Sequence, residues 1–402
     1  LIRDEPRHLP LYLLCLATFV TYLSTHLIIP IIPVLAERLG ALELEVAAAS
    51  GVGVITLSLF QVLTGALADR FGRRRAIAFG AILGALTSLL CVSARSWMHL
   101  TLLRGLGGVA DAIIGPALLA LIAEVGGEEK GWAMGLFRGS QGIAIILGPI
   151  VGGVLAHYLG LYIPFYLDFT LTLLGVSLFF IPPIPEGERA ESLLLPLKTL
   201  RLLRDEPRLL RAALIGFSEL FSFGAFLTFL PALAISLELS DVEIASLLTL
   251  EAALFSLTNL VVGPLSDKVG RKPIAALGLL TYIIVLPSFP YAHSLWHLLS
   301  LAALYGAGSS AIYLMSSTMA ADLLPSEGMA TLFAAFDALM DLGLLLGPTL
   351  CLMVLALLRL GARYAFPIML APALIALPLL LSMEETRPPR NPRGESPTAD
   401  RP

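Results

Sequence analysis

The sequence predicts an all-α membrane protein, built from twelve transmembrane helices in two pseudo-symmetric six-helix bundles. Three observations carry that expectation. The 402 residues are 57% hydrophobic and only 14% charged, with a mean hydropathy of +0.86. That is more apolar surface than a water-soluble chain of this length can bury. The apolar residues gather into twelve runs of roughly 20, enough for a helix to cross about 30 Å of hydrocarbon. Finally, the chain repeats itself. Gly65-Ala-Leu-Ala-Asp69-Arg70-Phe-Gly72-Arg73-Arg74 returns 198 residues on as Gly263-Pro-Leu-Ser-Asp267-Lys268-Val-Gly270-Arg271-Lys272. Arg3-Asp-Glu-Pro6-Arg7 returns after 201 residues at Arg204, and Gly148-Pro149 after 199 as Gly347-Pro348. Echoes in order at nearly one offset indicate a duplicated unit.

The predicted spans in the first half are 10–34, 45–68, 76–94, 98–123, 131–156 and 162–181. Those in the second are 212–237, 244–266, 274–291, 298–321, 329–356 and 364–382. Span 1 is too long for a signal peptide and lacks a small-residue cleavage site. Each hairpin joins two spans, 2 to 3 and then 8 to 9. After span 6, Ile181-Pro-Pro-Ile-Pro185 breaks the pattern, and a basic amphipathic stretch leads to span 7. Lying on an anionic leaflet is the natural posture for such a segment. The domain reading is therefore a bundle over 1–190, an amphipathic linker over 191–211, a second bundle over 212–385, and a disordered Pro-, Arg- and Glu-rich tail over 386–402. Cys15, Cys91 and Cys351 all fall within spans, with no disulfide or metal spacing, and read as small buried apolar residues.

Orientation follows from the basic residues. With the N-terminus inside, 20 of the 26 lysines and arginines lie in the termini, the hairpins, Lys130 and the 182–211 segment. Only Arg38, Arg95, Arg359 and Arg363 fall on the other face, while Arg104 and Arg138 lie inside spans. The positive-inside rule then places both termini and both hairpins in the cytoplasm of a multi-pass protein of the cell (inner) membrane. The same rule accounts for the basic clusters without nucleic acid.

Two six-span halves with Gly-x-Leu-x-Asp-Arg-x-Gly-Arg-Arg between spans 2 and 3, and a weaker copy between spans 8 and 9, resemble the major facilitator superfamily over essentially the whole chain. Gly135 with Gly148-Pro149-Ile-Val-Gly152-Gly153 in span 5 resembles the twelve-span drug/proton antiporter branch, with Ala144 where that pattern has glycine. Arg104-Gly-Leu-Gly-Gly108 resembles a further motif of that branch, with Gly107 in place of a polar residue. The resemblance implies the major facilitator fold and secondary active transport driven by the proton gradient, with no bound cofactor or metal and no catalytic residue. It also implies a cytoplasmic latch. Asp69 caps the N-terminus of span 11, near Gly328 to Leu332, and Arg73 reaches Glu124. Asp267, Arg271 and Asp322 repeat the arrangement, with Gly65, Arg70 and Gly72 completing the first copy. The first copy keeps more of the motif, so the span 2 and span 11 contact is expected to be the stronger. Gly148, Pro149, Gly152, Gly153, Gly347 and Pro348 make spans 5 and 11 bendable and closely approachable, and read as a hinge at the interface between halves.

Ionisable residues that a membrane helix accommodates at a cost of at least about 2.5–3.5 kcal/mol are functional candidates by default. Asp111, Glu219, Glu251, Asp337 and Asp341 qualify, together with Arg104 and Arg138. Arg104 and Asp111, seven apart, share a helix face about 10 Å apart. A carboxylate that can pair with arginine or take a proton makes a proton carrier; a static ion pair is the simpler alternative. Asp337 and Asp341 stack about 6 Å apart on one face and do not comfortably both ionise, so one is expected to hold a proton. Asp337 can equally sit beside the latch and serve structure. Glu219 lies near Phe217, Phe221, Phe223 and Phe226, a setting for a lipophilic cation if those rings line a cavity. The substrate-cavity candidates are His26, Gln61, Gln141, Phe223, Asn259 and Arg138, and Asp168 is expected to reach water near the outer surface.

Together these residues predict proton-coupled export of lipophilic small molecules or drugs by alternating access. A lipid or glycolipid flippase of the same fold is the alternative. Sugar or metabolite efflux calls for more pocket hydroxyls, amides and tryptophans, whereas Trp97, Trp132 and Trp296 sit near span ends. The chain is not expected to be an enzyme, and it carries no Gly-x-x-x-x-Gly-Lys-[Ser/Thr] loop for ATP-driven pumping. Its expected partners are a small-molecule or lipid substrate, the proton and the bilayer, with the chain acting as a monomer.

Overall fold

A computed structural model describes residues 9–180, 206–324 and 329–387. Twelve helical segments are long and apolar enough to cross a membrane. Spans 1–6 are Leu9–Arg38, Ala48–Phe71, Arg73–Cys91, Trp97–Gly126, Lys130–Leu159 and Ile163–Phe180. Spans 7–12 are Pro207–Ser236, Glu243–Val269, Arg271–Tyr291, Leu295–Leu323, Met329–Leu358 and Ala362–Leu381. There is no strand among the described residues. Prolines account for the breaks in regularity. Span 1 is two helices, Leu9–Leu27 and Ile31–Arg38, parted at Pro30, and span 9 tightens into a 3₁₀ turn over Leu286–Tyr291, which contains Pro287 and Pro290.

Pseudo-symmetry extends to the packing. Span 4 packs on spans 2 and 3, span 1 on spans 5 and 6, and span 3 on span 6. In the second half span 10 packs on spans 8 and 9, span 7 on spans 11 and 12, and span 9 on span 12. The halves meet along two equivalent seams, span 2 against span 11 and span 8 against span 5. At the 5/8 seam the backbones of Gly131 and Gly135 lie against Gly263, and any side chain there would collide with the facing helix. Each hairpin turns on a glycine in the left-handed region, Gly72 at φ 101° and Gly270 at φ 111°.

Three sequence expectations change. Span 7 starts at Pro207, with proline at the first helical turn, where its missing N–H costs nothing. The predicted linker, 191–211, therefore gives up its last five residues to the bundle, and 191–205 lies outside the described residues. Of the predicted tail, Arg387 is docked, its guanidinium donating to the Lys268 carbonyl at 2.7 Å; 388–402 lies outside the described residues. The glycines of the predicted hinge pack within halves rather than between them. Gly148 and Gly152 lie against His26 and Leu27 of span 1, Gly347 lies against Phe221 of span 7, and Gly153 faces open space. Pro149 and Pro348 lie inside unbroken helices. The reason is geometric: a small-residue stripe serves whichever helix crosses it, and these stripes face spans 1 and 7.

Candidate functional site

Two ionic clusters close the hairpin end of the bundle. Asp69 ends span 2 and is 2% exposed. Its carboxylate accepts from the Ala330 and Thr331 amides at 3.1 and 2.8 Å and from the Thr331 hydroxyl at 2.7 Å. These are free donors of the first turn of span 11, where unsatisfied amides and the helix dipole favour an anion. Arg73 pairs with Asp69 at 3.1 Å and also with Glu124 at the end of span 4. Gly65 faces Ala330 and Ala334, while Arg70 lies at the exposed end of the helix over Phe71.

The second cluster repeats this on the opposite seam. Asp267 accepts from the amides of Gly131 and Trp132 at 3.0 and 2.6 Å, at the start of span 5. Arg271 is wholly buried between Asp267 at 2.6 Å and Asp322 at 3.0 Å. Lys130 stands 4.0 Å from Asp322 and donates to the Ala321 carbonyl. Glu385, beyond span 12, accepts from the amides of Arg271 and Lys272 at 2.8 and 3.2 Å. The second copy is thus also bonded to several partners, although it keeps less of the motif. Lys130 and Glu385 reach it from outside the hairpin, and Ser266 is a hairpin residue outside the motif's charged positions.

Deeper in the bundle, two adjoining cavities share Arg138, Gln141, Leu220 and Tyr313 as a common wall. The first, of about 190 Å³, is polar: Asp111, Asp337 and Asp341 line it with Gln61 and Tyr22. Gln61 donates to Asp341 at 3.0 Å across the 2/11 seam. The second, of about 240 Å³, is largely apolar and holds Glu219 and Glu251 among Phe223, Phe255 and Tyr313. Ser309 donates to one Glu219 oxygen at 2.5 Å. The other Glu219 oxygen and one of Glu251 are buried without a partner among the described residues. Arg138 donates to Gln141 at 3.1 Å and stands 4.7 Å from the Tyr313 ring centroid, with its Nε and Nη2 unpartnered. A third cavity, of about 30 Å³, room for a water or two, is lined by Arg104, Asp111 and Asp168.

Several candidates lie where the sequence did not put them. His26 donates through Nδ1–H to the Tyr22 carbonyl of its own turn, at 2.7 Å, and packs at the crossing of spans 1 and 5. It lines none of the described cavities. Asn259, fully buried, accepts from Ser310 at 2.9 Å and ties span 8 to span 10 rather than facing a cavity. Asp168 is buried, not water-facing: it accepts from Thr172 at 3.2 Å and lies close to Arg104. Arg104 and Asp111 line one small cavity but form no ion pair among the described residues. Asp337 lines the polar cavity rather than the latch. Tyr22, Tyr313 and Ser309 were missed; nothing in a helix sequence distinguishes a tyrosine on a cavity wall from one in a lipid-facing belt.

The chain matches the family model described as Major Facilitator Superfamily over residues 14–242 and 212–401. It is 23% identical over 345 residues to an uncharacterized MFS-type transporter of Methanocaldococcus jannaschii, covering 84% of this chain and 88% of the relative. It is 25% identical over 350 residues to the multidrug resistance protein MdtG of Salmonella typhimurium, covering 83% and 85%. The crystal structure of the human organic anion transporter MFSD10 superposes with a TM-score of 0.80 at 20% identity, over 94% of this chain and all of that one.

Proposed function

Because the chain belongs to the major facilitator superfamily, a family of membrane transporters and not enzymes, we propose that it exchanges protons for lipophilic small molecules and exports them by alternating access. The polar cavity is the observation that carries this reading: three carboxylates, Asp111, Asp337 and Asp341, line it together with one guanidinium, Arg138, between the halves. Three acids facing one cation in a low-dielectric pocket cannot all be charged without cost, so protons are natural occupants of the site. Asp341 is also bonded to Gln61 of the opposite half. Its protonation therefore alters a contact between the two bodies that must move, and that is how a proton can bias the rocking equilibrium.

The hairpin-side clusters act as latches in this scheme. With Asp69 and Asp267 seated on the helix starts of the opposite half, that end of the bundle is shut. The charge bias of the sequence puts that end in the cytoplasm, making this the outward-facing state. The largely apolar walls of the second cavity suit a lipophilic substrate, and the multidrug resistance relatives agree with such a cargo. Proteoliposomes with an imposed pH gradient test the proposal. Uptake of a lipophilic fluorophore should follow the gradient and fall at least tenfold in Asp341→Asn, as expected of a group acting through its charge. Flux indifferent to both would refute the coupling.

A further inference from the structure

The two cavities divide the buried charge unequally, and this suggests what the second one binds. Glu219 and Glu251 arrive from spans 7 and 8 and face one space, each at most 3% exposed and each with a carboxylate oxygen that meets no donor. An unpaired buried carboxylate is costly unless something cationic, or a proton, completes it. Among the described residues, the one basic side chain on that wall is Arg138. It is shared with the polar cavity, where Asp337 and Asp341 also draw on it. Three carboxylates, Glu219, Asp337 and Asp341, thus lie in the field of a guanidinium that donates to Gln141 and, among the described residues, leaves its Nε and Nη2 unpartnered. Apart from Gln141 and Ser256, the remaining walls are apolar or aromatic, among them Phe223, Phe255 and Tyr313, whose faces attract a cation that has shed its water.

We propose that the Glu219–Glu251 compartment binds the charged head of a lipophilic organic cation, and that Arg138 is the cation's intramolecular competitor. The inference rests on the proton-exchange reading above and adds the substrate's charge and its seat. It also gives Arg138 a role distinct from packing. When the compartment is empty, the guanidinium partly neutralises Glu219. When a cation arrives, the guanidinium is released toward Asp337 and Asp341, where it competes with protons. Substrate and proton are then coupled through one side chain, without sharing a carboxylate.

Mutations on the two sides of this competition should act with opposite signs. The probes are tetraphenylphosphonium and its anion of nearly the same shape, tetraphenylborate, with binding measured on the purified full-length chain in nanodiscs. Glu219→Gln and Glu251→Gln should each weaken tetraphenylphosphonium binding about tenfold, and Arg138→Gln should strengthen it severalfold, while tetraphenylborate binds poorly to the unaltered chain. Glu219→Asp and Glu251→Asp, which keep the charge, should retain most of the affinity. Unchanged melting temperatures separate these effects from misfolding. Three results would each overturn the site: absence of tetraphenylphosphonium binding, indifference to both glutamine variants, or weakening by Arg138→Gln. Preferred binding of tetraphenylborate that disappears in Arg138→Gln would also overturn it, making the compartment an anion site. Gradient-driven flux of a neutral fluorophore keeps the two claims apart. If that flux persists while tetraphenylphosphonium binding ignores the glutamates, the exchange reading stands and the cation site falls. If binding follows the glutamates but no flux follows the gradient, the site stands and the exchange reading falls.

Discussion

The seams between spans 2 and 11 and between spans 5 and 8 are pseudo-symmetric copies that have diverged in kind. The 5/8 seam is a backbone contact: Gly131, Gly135, Gly139 and Gly142 lie in turn against Gly263, Leu260 and Ser256. Its ionic end is a wholly buried arginine held by two carboxylates, with Lys130 and Glu385 in support. The 2/11 seam has one such glycine contact, at Gly65, and then becomes polar, ending in the Gln61–Asp341 hydrogen bond on the wall of the acidic cavity. One seam is closed by shape, and the other runs into the carboxylate that the proposed exchange would protonate. Of the two latches, only the 2/11 copy lies on the seam that carries Asp341.

Breaking the 5/8 seam should have the largest effect. Arg271→Ala leaves the fully buried Asp322 and the partly exposed Asp267 without their shared cation, a loss of about 3–5 kcal/mol for a buried pair, and should lower the melting temperature more than Arg73→Ala. Each arginine bonds one fully buried carboxylate and one partly exposed one, Glu124 for Arg73 and Asp267 for Arg271, so the difference rests on Arg271 itself, which is wholly buried while Arg73 keeps slight exposure. Equal losses would erase the distinction between seams. Next in size is Gly135→Leu, whose side chain has no room beside Asn259 and Gly263. It should hold the hairpin end open, seen as increased labelling of a hairpin-side cysteine by an impermeant reagent. Asp69→Asn removes the anion from the start of span 11 and should cost about 1–2 kcal/mol in closing that end. The smallest structural effect belongs to Gln61→Leu, about 1 kcal/mol or less in stability. Gradient-driven flux should nonetheless fall severalfold, because the variant severs the cavity from the seam. A change in melting temperature without a change in flux would make Gln61 a packing residue.

The legible features were those that one helix carries by itself. Asp69 and Asp267 stand at helix ends in a charged hairpin, where only a partner's free amides or water can satisfy them, and the repeat marks both at once. Glu219 is conspicuous because a carboxylate among phenylalanines has no local reason to be there. The support of the second latch by Glu385 was not legible, because that residue lies 114 residues from the amide of Arg271 that it caps. Nor was the placing of His26, Asn259 and Asp168. A polar residue in an apolar helix looks alike whether it bonds its own turn, a neighbouring helix or a cavity, and the facing helix decides which.

By itself the sequence determined the solvent, the twelve spans, the duplication and the positions of the costly charges. Each follows from one-dimensional physics: the length of an apolar run, the price of a charge in hydrocarbon, and the spacing of a repeat. Only the tertiary structure decided which acids share a space. It joined Glu219 to Glu251, set Asp111 beside Asp337 and Asp341, and left Arg138 between the two groups. Those neighbours come from different helices, and their meeting depends on the crossing and rotation of rods whose small residues allow close approach, a property no single helix encodes.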